Sequence, residues 1–232
     1  MNKFTIVIPC KNEEGYIGDL LSSISIQSII PTEIIIADAN STDRTIDIIN
    51  TFDELNIRLI EGGNVSYGRN KGASLSTTKY IIFIDSDMVL KDRFLLEKTI
   101  YKMEKSKLKL STCNIRCLND NKISDIIYIM NNISQKISKL IGSPFSTGSY
   151  MCIEKGEFDR IGGFDVDIQF SEDYWLSKQV TSSNFGIVSC NIYTSDRRFK
   201  KIGYFWMIKN FIYSFINRNN RDFFIKDFKY WI

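Results

Sequence analysis

Two hydrophobic patterns alternate along the first half of the chain: short continuous apolar runs, and apolar residues at helical spacing. A short run rich in β-branched residues that ends at a turn-forming residue is typical of a buried strand. Four such runs occupy residues 4–9, 33–38, 57–60 and 80–84. Each is followed by a stretch that can form a helix, so the pattern predicts repeated βα units feeding one largely parallel sheet.

The second half continues with longer elements. We predict a helix over residues 92–105, a strand over 108–117, a helix over 122–140 and a strand over 150–153. The long helix has an apolar face formed by Ile126, Ile127, Met130, Ile133, Ile137 and Leu140. Because a stripe at helical spacing is typical of a core-facing surface, we expect this helix to bury it.

Composition indicates one ordinary globular domain. The 232 residues suffice for one α/β domain with a sizeable core, and 44% apolar with 25% charged residues is not the composition of a disordered chain. The chain has no histidine, which excludes Ser-His-Asp and Cys-His catalysis and any His-ligated metal. Five scattered cysteines indicate neither a disulfide framework nor a zinc site. Since Met1-Asn-Lys leads directly into the first strand, we predict no signal peptide and a cytoplasmic protein.

Charge is concentrated at the C-terminus. The net charge is +3, but residues 197–232 carry nine Lys/Arg, two Asp/Glu and twelve aromatic residues, which leaves the rest of the chain at −4. Two interpretations stand equal: an appendage that packs on the domain, or one that lies on an anionic membrane surface. Nucleic-acid binding is disfavoured because the rest of the chain would repel phosphates. The apolar run 204–216 falls short of the ~20 residues needed to span a bilayer.

Two acids follow the most apolar of the predicted strands. Asp85 and Asp87 come directly after residues 80–84, at the edge of the sheet where open α/β folds bind ligands. Their oxygens suit a hard cation and therefore a metal-bridged phosphate substrate. Capping of a following helix explains the triplet equally well by itself.

Five segments together resemble a known family. Residues 6–14, 36–45, 68–73, 83–87 and 170–173 resemble, in order, motifs of the family 2 glycosyltransferases of the GT-A fold. The resemblance covers roughly residues 4–189. It implies a GT-A-like α/β fold, with a mostly parallel sheet flanked by helices, over residues 1–196. Residues 197–232 would then form a basic, aromatic helical appendage.

The resemblance assigns a nucleotide-sugar site to these segments. It implies that Pro9 and Glu13 line the base and ribose pocket and that Asp38 reads the uracil N3–H, although Asp38 also fits as a turn cap. Glycines at 62, 63 and 68 suggest a loop that approaches a ligand closely, with Arg69 offering charge to a base carbonyl or the diphosphate. The small residues at 144–149 also suggest close approach of a ligand.

The metal and the leaving group are assigned in the same way. The resemblance implies Mn²⁺ or Mg²⁺ contacting Asp87 directly, with Asp85 nearer the ribose as a further candidate ligand. With no late histidine, water, phosphate or another acid would complete the metal shell. Arg197 or Arg198 would neutralise the diphosphate or hold a mobile loop closed. Anchoring of the tail to lipid headgroups is the alternative for these arginines.

The resemblance further implies a catalytic pair near residue 172. Asp173 would be the general base and Glu172 an acceptor-orienting neighbour, although two acids in a first helical turn also suit the helix dipole. The implied activity is metal-dependent, inverting transfer of a hexosyl or N-acetylhexosaminyl group from UDP to a hydroxyl of a glycan or lipid-linked acceptor. The alternatives are a polyprenyl-phosphate glycosyltransferase and a non-catalytic sugar-nucleotide or glycan-binding protein. In such enzymes the region of helix 122–140 shapes the acceptor site, so its stripe could instead meet lipid or a partner chain.

Overall fold

The computed structural model describes residues 4–119 and 121–226, and these form an eight-stranded sheet between two layers of helices. The strands are β1 (Phe4–Cys10), β2 (Glu33–Asp38), β3 (Ile57–Glu61), β4 (Tyr80–Ile84), β5 (Met88–Val89), β6 (Leu110–Cys117), β7 (Tyr150–Glu154) and β8 (Phe185–Thr194). The six strands predicted from the apolar pattern are confirmed. The two that it missed are the two-residue β5 and the ten-residue β8.

The helices include those predicted from helical spacing. They are α1 (Ile17–Ser25), α2 (Thr45–Ile49), α3 (Val65–Leu75), α4 (Leu95–Lys105), α5 (Lys122–Leu140), α6 (Lys155–Ile161), α7 (Glu172–Ser177), α8 (Arg197–Ile202), α9 (Tyr204–Ile216) and α10 (Arg221–Phe224), with a 3₁₀ turn at Ser182–Asn184. Among the described residues, no helix is both long and apolar enough to cross a membrane.

Strand order divides the sheet into a parallel part and a mixed part. The order is β3-β2-β1-β4-β7-β6-β8-β5. The first four strands are parallel, as βα units require, so the carboxyl ends of β1, β2 and β4 lie side by side. β7 then runs antiparallel to both β4 and β6, while β8 is parallel to β6. This inserted antiparallel strand brings segments from the second half of the chain to the same sheet edge.

The core follows from two-faced burial of the central strands. Every residue of β4 is buried, which explains its continuous apolar sequence. Along β1, Ile6 and Ile8 pack against α1 and α4 on one face, while Val7 belongs to the cluster beneath α3 and α6 on the other. The alternation is the period of two expected for strand side chains.

The glycines near α3 serve packing of the helix on the sheet. The sequence suggested a ligand-approaching loop up to Gly68, but α3 begins at Val65, so Gly68 and Arg69 are helical. A Cβ on Gly72 would lie 2.5 Å from Val7 Cγ1, and one on Gly68 would lie 3.2 Å from Ala37 Cβ. The predicted loop at Gly68 is therefore wrong, because this glycine lets α3 approach β2 rather than a ligand.

The prediction for the apolar stripe of α5 is also wrong. Ile126 is 57% exposed and Leu140 is 84% exposed, whereas the buried residues of the helix are Ser124, Asn132, Gln135 and Ser138. Asn132 accepts from Ile115 N–H and donates to Ile115 C=O, both at 2.8 Å. β6 has an irregular register with β8 just before this point, and the Asn132 amide pairs the backbone groups there. The polar face of α5 thus faces the sheet and the apolar face points outward.

Part of the C-terminal appendage packs on the domain. Phe224 is fully buried, its ring lies 5.5 Å from that of Trp175, and its carbonyl accepts from Gln169 N–H at 2.9 Å. Arg221 pairs with Asp165 and Asp167. The predicted boundary at residue 196 falls just before α8, and the aromatic residues at 228, 230 and 231 lie outside the described residues.

Candidate active site

The two acids after β4 lie in a tight connection between strands. β5 begins directly after Asp87 and the next helix begins only at Leu95, so capping of a following helix does not explain the triplet. Asp87 is nearly buried, with 7% of its side chain exposed, and Asp85 retains 15%. The connection holds both carboxylates at the carboxyl end of β4, where the predicted ligand edge lies.

The loops after β1 and β2 are joined by hydrogen bonds. Asn12 adopts a left-handed conformation (φ 52°) that asparagine tolerates, and its side chain accepts from Thr42 N–H at 2.8 Å. Its own N–H donates to Ser41 Oγ at 2.8 Å, and Glu13 N–H donates to Thr45 Oγ1 at 2.7 Å. The loops therefore form one framework that sets the position of Glu13.

Asp38 ends β2 and holds its own turn. One carboxylate oxygen accepts from Ser41 N–H at 2.9 Å and the other from Ser41 Oγ. The turn-capping interpretation thus describes its present contacts. A carboxylate has about four acceptor positions, so two stay available for a ligand donor. Contact of Asp38 and Pro9 with a base stays a prediction; Pro9 lies beside Ala37 in the β1–β2 ladder.

Arg197 bridges two acids from different loops. Its Nη2 lies 2.6 Å from Glu13 Oε1 and 3.2 Å from Asp87 Oδ2, and its guanidinium stacks 4.1 Å from the Tyr16 ring centre. Burial raises the pKa of Glu13, and Arg197 opposes that rise. The carboxylates of Glu13 and Asp87 thus contact one guanidinium, and Glu13 Oε2 is buried and has no hydrogen-bond partner among the described residues.

This donor set fits a divalent cation shared with a phosphate. Carboxylate oxygens are the ligands that Mg²⁺ and Mn²⁺ prefer, and Mg²⁺ sites usually use one or two carboxylates with phosphate and water. Within residues 4–119 and 121–226, no group of three acidic, Cys or His side chains forms a complete metal site. Asp87, with Asp85 or Glu13, would therefore supply only part of the shell.

Arg69 connects the acids after β4 to those of α7. It is 1% exposed; Nη2 lies 2.7 Å from Asp85 Oδ1 and Nη1 2.6 Å from Glu172 Oε1. Nη2 also donates to the Gly148 carbonyl at 3.3 Å, and a Cβ at Gly148 would lie 2.4 Å from this nitrogen. Contact of Arg69 with a base or diphosphate, and of Glu172 with an acceptor, stay predictions. In the structure the two side chains neutralise each other.

Asp173 occupies the first turn of α7, next to Ser171 in a left-handed conformation (φ 58°). One carboxylate oxygen accepts from Gly148 N–H at 2.6 Å and the other from Tyr174 N–H at 2.7 Å. Burial, followed by the negative charge of Glu172, raises the pKa of Asp173 to about 7. The side chain is still partly exposed. A carboxylate with this pKa can take up a proton at neutral pH.

Several of these charged groups line one cavity, together with apolar side chains. Its charged lining includes Asp85, Asp87, Asp173 and Arg198. The helices α5 and α9 contribute apolar lining residues, namely Ile127, Met130, Met207, Ile208, Phe211 and Ile212. Asp87, which lines the cavity, is joined through Arg197 to Glu13 of the loop after β1. The cavity can hold a charged group and an apolar one at once.

Two polar residues of the cavity were missed by the sequence analysis. Asn131 Nδ2 and Thr147 Oγ1 are buried and lack hydrogen-bond partners among the described residues. Buried polar atoms are usually paired, so these two are candidate contacts for sugar hydroxyls. The small residues at 144–149 gave a signal for Thr147. Nothing in the sequence distinguished Asn131, because its environment depends on how α5 lies on the sheet.

The chain is similar to known proteins in sequence and in fold. The Glycosyl transferase family 2 model matches residues 5–161. The chain is 22% identical over 201 residues to the O-antigen chain rhamnosyltransferase RfbN of Salmonella typhimurium, covering 81% of this chain and 64% of the relative. It is 26% identical over 193 residues to the 4,4'-diaponeurosporenoate glycosyltransferase of Staphylococcus aureus, covering 79% of this chain and 48% of the relative.

Solved structures confirm the predicted GT-A-like fold. The mannosyltransferase PcManGT of Pyrobaculum calidifontis, in complex with GDP-Man and Mn²⁺, superposes with a TM-score of 0.67 at 17% identity over 84% of this chain. TarS 1-349 of S. aureus, in complex with UDP-GlcNAc, gives 0.66 at 18% identity over 83%. The chain spans 57% and 58% of these two proteins and 64% of the rhamnosyltransferase.

Proposed function

Because the chain belongs to glycosyl transferase family 2, we propose that it carries the catalytic site of a metal-dependent, inverting glycosyltransferase. One observation carries the proposal. Asp173, a carboxylate with a pKa raised to about 7, shares a cavity with Asp85 and Asp87, and the Arg69–Glu172 pair joins the two groups. A candidate base and a candidate leaving-group site therefore lie within one enclosure.

The donor is a nucleotide diphosphate sugar bound at the carboxyl ends of β1, β2 and β4. Asp38 keeps acceptor positions for the N3–H of uracil, which favours UDP, and Pro9 and Glu13 lie on the adjoining loop. A bound Mn²⁺ or Mg²⁺ would neutralise the charge that develops on the diphosphate. Asp87, with Asp85, would hold that ion, and Arg197 and Arg198 would add positive charge around the same phosphates.

The acceptor is a hydroxyl of a glycan or a lipid-linked sugar at the cytoplasmic face of a membrane. Its oxygen forms a bond to the anomeric carbon as the bond from that carbon to the diphosphate oxygen breaks, and Asp173 takes the hydroxyl proton. A single displacement inverts the anomeric configuration. Asn131 and Thr147 supply unpaired polar atoms for sugar hydroxyls nearby.

The apolar cavity wall favours one second candidate, a polyprenyl-phosphate glycosyltransferase. Ile127, Met130 and Phe211 offer contacts to an isoprenoid chain that a free glycan could not use. A phosphate acceptor is already ionised and needs no strong base. Sugar transfer that survives loss of the Asp173 carboxylate would favour this candidate over a hydroxyl acceptor.

The donor site is tested by calorimetric titration of UDP, GDP and a panel of UDP-sugars, with and without Mn²⁺. We expect metal-dependent UDP binding that weakens at least tenfold in Asp87→Ala, because a ligand oxygen of the metal is lost. Asp53→Ala is the matched control, since this aspartate is exposed and distant from the site in the α2–β3 connection. Absence of nucleotide binding by folded wild-type protein under every condition would refute the proposal.

A further inference from the structure

Two helices expose large apolar side chains on one region of the surface. On α5 they recur at intervals of three and four residues, and on α9 they cover most of the outer side. We call this region the α5/α9 apolar face; it comprises Ile123, Ile126, Met130, Ile133 and Ile137 of α5 and Phe205, Ile208, Ile212, Phe215 and Ile216 of α9, each at least 38% exposed. Soluble monomers rarely expose contiguous apolar patches of this kind without a partner.

Contacts hold the two helices together at one end. The Tyr204 hydroxyl at the start of α9 accepts from Asn121 Nδ2 at 2.8 Å and lies 3.0 Å from Ser124 Oγ in α5. The Phe199 ring lies between the rings of Tyr128 and Tyr204, at 5.0 and 5.6 Å. The start of α9 is therefore fixed against the first turns of α5.

The same surface continues into the active-site cavity. Met130, Ile208 and Ile212 are exposed and also line the cavity that contains Asp87 and Asp173. An apolar chain lying on the face would thus reach the cavity without crossing a polar barrier. Whatever covers the face therefore also lies against residues that line the cavity.

Charge around the face selects the kind of partner. Lys122, Lys136 and Lys139 of α5 and Lys209 of α9 are exposed at its borders. α9 contains no acid, and the one acid of α5, Asp125, is neutralised by two hydrogen bonds from Arg116. These four lysines form no salt bridge within residues 4–119 and 121–226. An apolar surface bordered by exposed lysines matches the interface of an anionic bilayer, where such side chains extend to the headgroups.

We propose that the α5/α9 apolar face docks on an anionic lipid bilayer, with both helices lying in the interface and the cavity open toward the lipid. Among the described residues no helix is both long and apolar enough to cross a bilayer, so the two helices would lie in the interface rather than span it. The acceptor class follows if the proposed transferase function holds: a lipid-linked acceptor whose headgroup enters the cavity while its apolar chain stays in the membrane. Docking itself does not depend on catalysis.

Flotation with lipid vesicles tests the docking. We expect wild-type protein to float with vesicles of phosphatidylcholine and phosphatidylglycerol, and more weakly with phosphatidylcholine alone or in 0.5 M salt. Ile126→Ser/Ile133→Ser in α5 and Phe205→Ser/Phe215→Ser in α9 should each reduce binding by about tenfold or more, because two large side chains no longer leave water. None of the four residues lines the cavity. The matched control is Ile26→Ser/Ile30→Ser, which changes two isoleucines outside the face that are 64% and 51% exposed. This variant should bind vesicles as wild type does.

Two further measurements separate the possible failures. UDP titration of the same variants should match wild type, so loss of vesicle binding with intact nucleotide binding supports docking alone. Vesicle binding without any nucleotide binding would refute the proposed function and leave docking standing. Absence of flotation by wild-type protein overturns the docking proposal. The docking proposal is also overturned if light scattering detects a wild-type dimer that the serine variants abolish, while the wild-type protein does not float. The face would then join two copies of the chain.

Discussion

The loops that follow β1, β2 and β4 and the helices α5 and α9 hold their side chains in opposite ways. In the loops, which we call the donor side, polar groups converge inward, with Glu13 and Asp87 meeting Arg197. On α5 and α9, which with α7 we call the acceptor side, apolar side chains point outward and polar ones are buried. The donor side thus presents charged groups, and the acceptor side presents an exposed apolar surface.

The difference shows that hydrophobic periodicity identifies the apolar face of a helix but does not show whether that face packs in the core. The stripe of α5 has the same spacing as a core-facing stripe, yet the sheet is covered by the opposite face of the helix. Asn132 makes this possible because it pairs the backbone N–H and C=O of Ile115. The apolar face is then left exposed on the surface.

The largest expected difference between the two sides comes from removing the candidate base, Asp173. In Asp173→Asn we expect turnover to fall by a factor of about 10²–10⁴, because no carboxylate takes the acceptor proton. UDP affinity should be unchanged, since Asp173 contacts Gly148 and Tyr174 rather than the donor-side loops. The measurement is UDP release with a panel of glycan and lipid-linked acceptors, and Asp159→Asn at the surface is the control. Undiminished turnover would contradict a hydroxyl acceptor and favour a phosphate.

Removal of the connection should disturb both sides. Arg69→Met leaves Asp85 and Glu172 without their buried counter-ion, which we expect to lower the free energy of unfolding by about 3–5 kcal/mol. Urea denaturation measures this loss. The control is Arg69→Met/Glu172→Gln. Because this double variant also removes the buried negative charge of Glu172, which Arg69 no longer neutralises, it should recover part of the stability. Equal stability of the single variant and wild type would mean that the buried network is not a structural link.

Two adjacent residues of α5 test its reversed polarity. Asn132→Leu should destabilise the protein by about 1–3 kcal/mol, because the backbone groups of Ile115 lose their partner. Ile133→Ser, at a site that is 48% exposed, should change stability by no more than about 0.5 kcal/mol. Thermal or urea unfolding of both variants gives the comparison. The opposite ranking would place the isoleucine face in the core.

The pH dependence should follow the acceptor side alone. Asp173 accepts a proton only when ionised, and its pKa is raised to about 7, so kcat/KM should increase with pH through that value. Below it, activity should fall about tenfold per pH unit. The pH profile of UDP release, compared with the profile of UDP binding, assigns the change. A profile that is flat between pH 6 and 8, or one that Asp173→Asn retains, would contradict the assignment of Asp173 as base.

Local signals predicted the strands whose apolar residues are continuous in the sequence. Residues 80–84 form a strand buried on both faces, which a continuous apolar run predicts, and acids at its end must lie at the sheet edge. β8 was missed because Gly186, Ser189 and Asn191 interrupt its apolar residues. The boundary of α3 was misplaced because its glycines read as a loop, although they are needed where the helix meets Val7 and Ala37.

The sequence by itself determined the parallel βα framework, the place of Asp85 and Asp87 at the end of a buried strand, and membership of a family. These depend on periodicity and on motifs that are local in the chain. Only the tertiary structure decided that Arg69 contacts both Asp85 and Glu172, although Arg69 and Glu172 are 103 residues apart in the chain. It likewise decided that Arg197 contacts both Asp87 and Glu13, although Arg197 and Glu13 are 184 residues apart. It also decided which face of α5 meets the sheet. Charge pairing and burial depend on distances between segments, and a hydrophobic pattern along one segment holds no information about those distances.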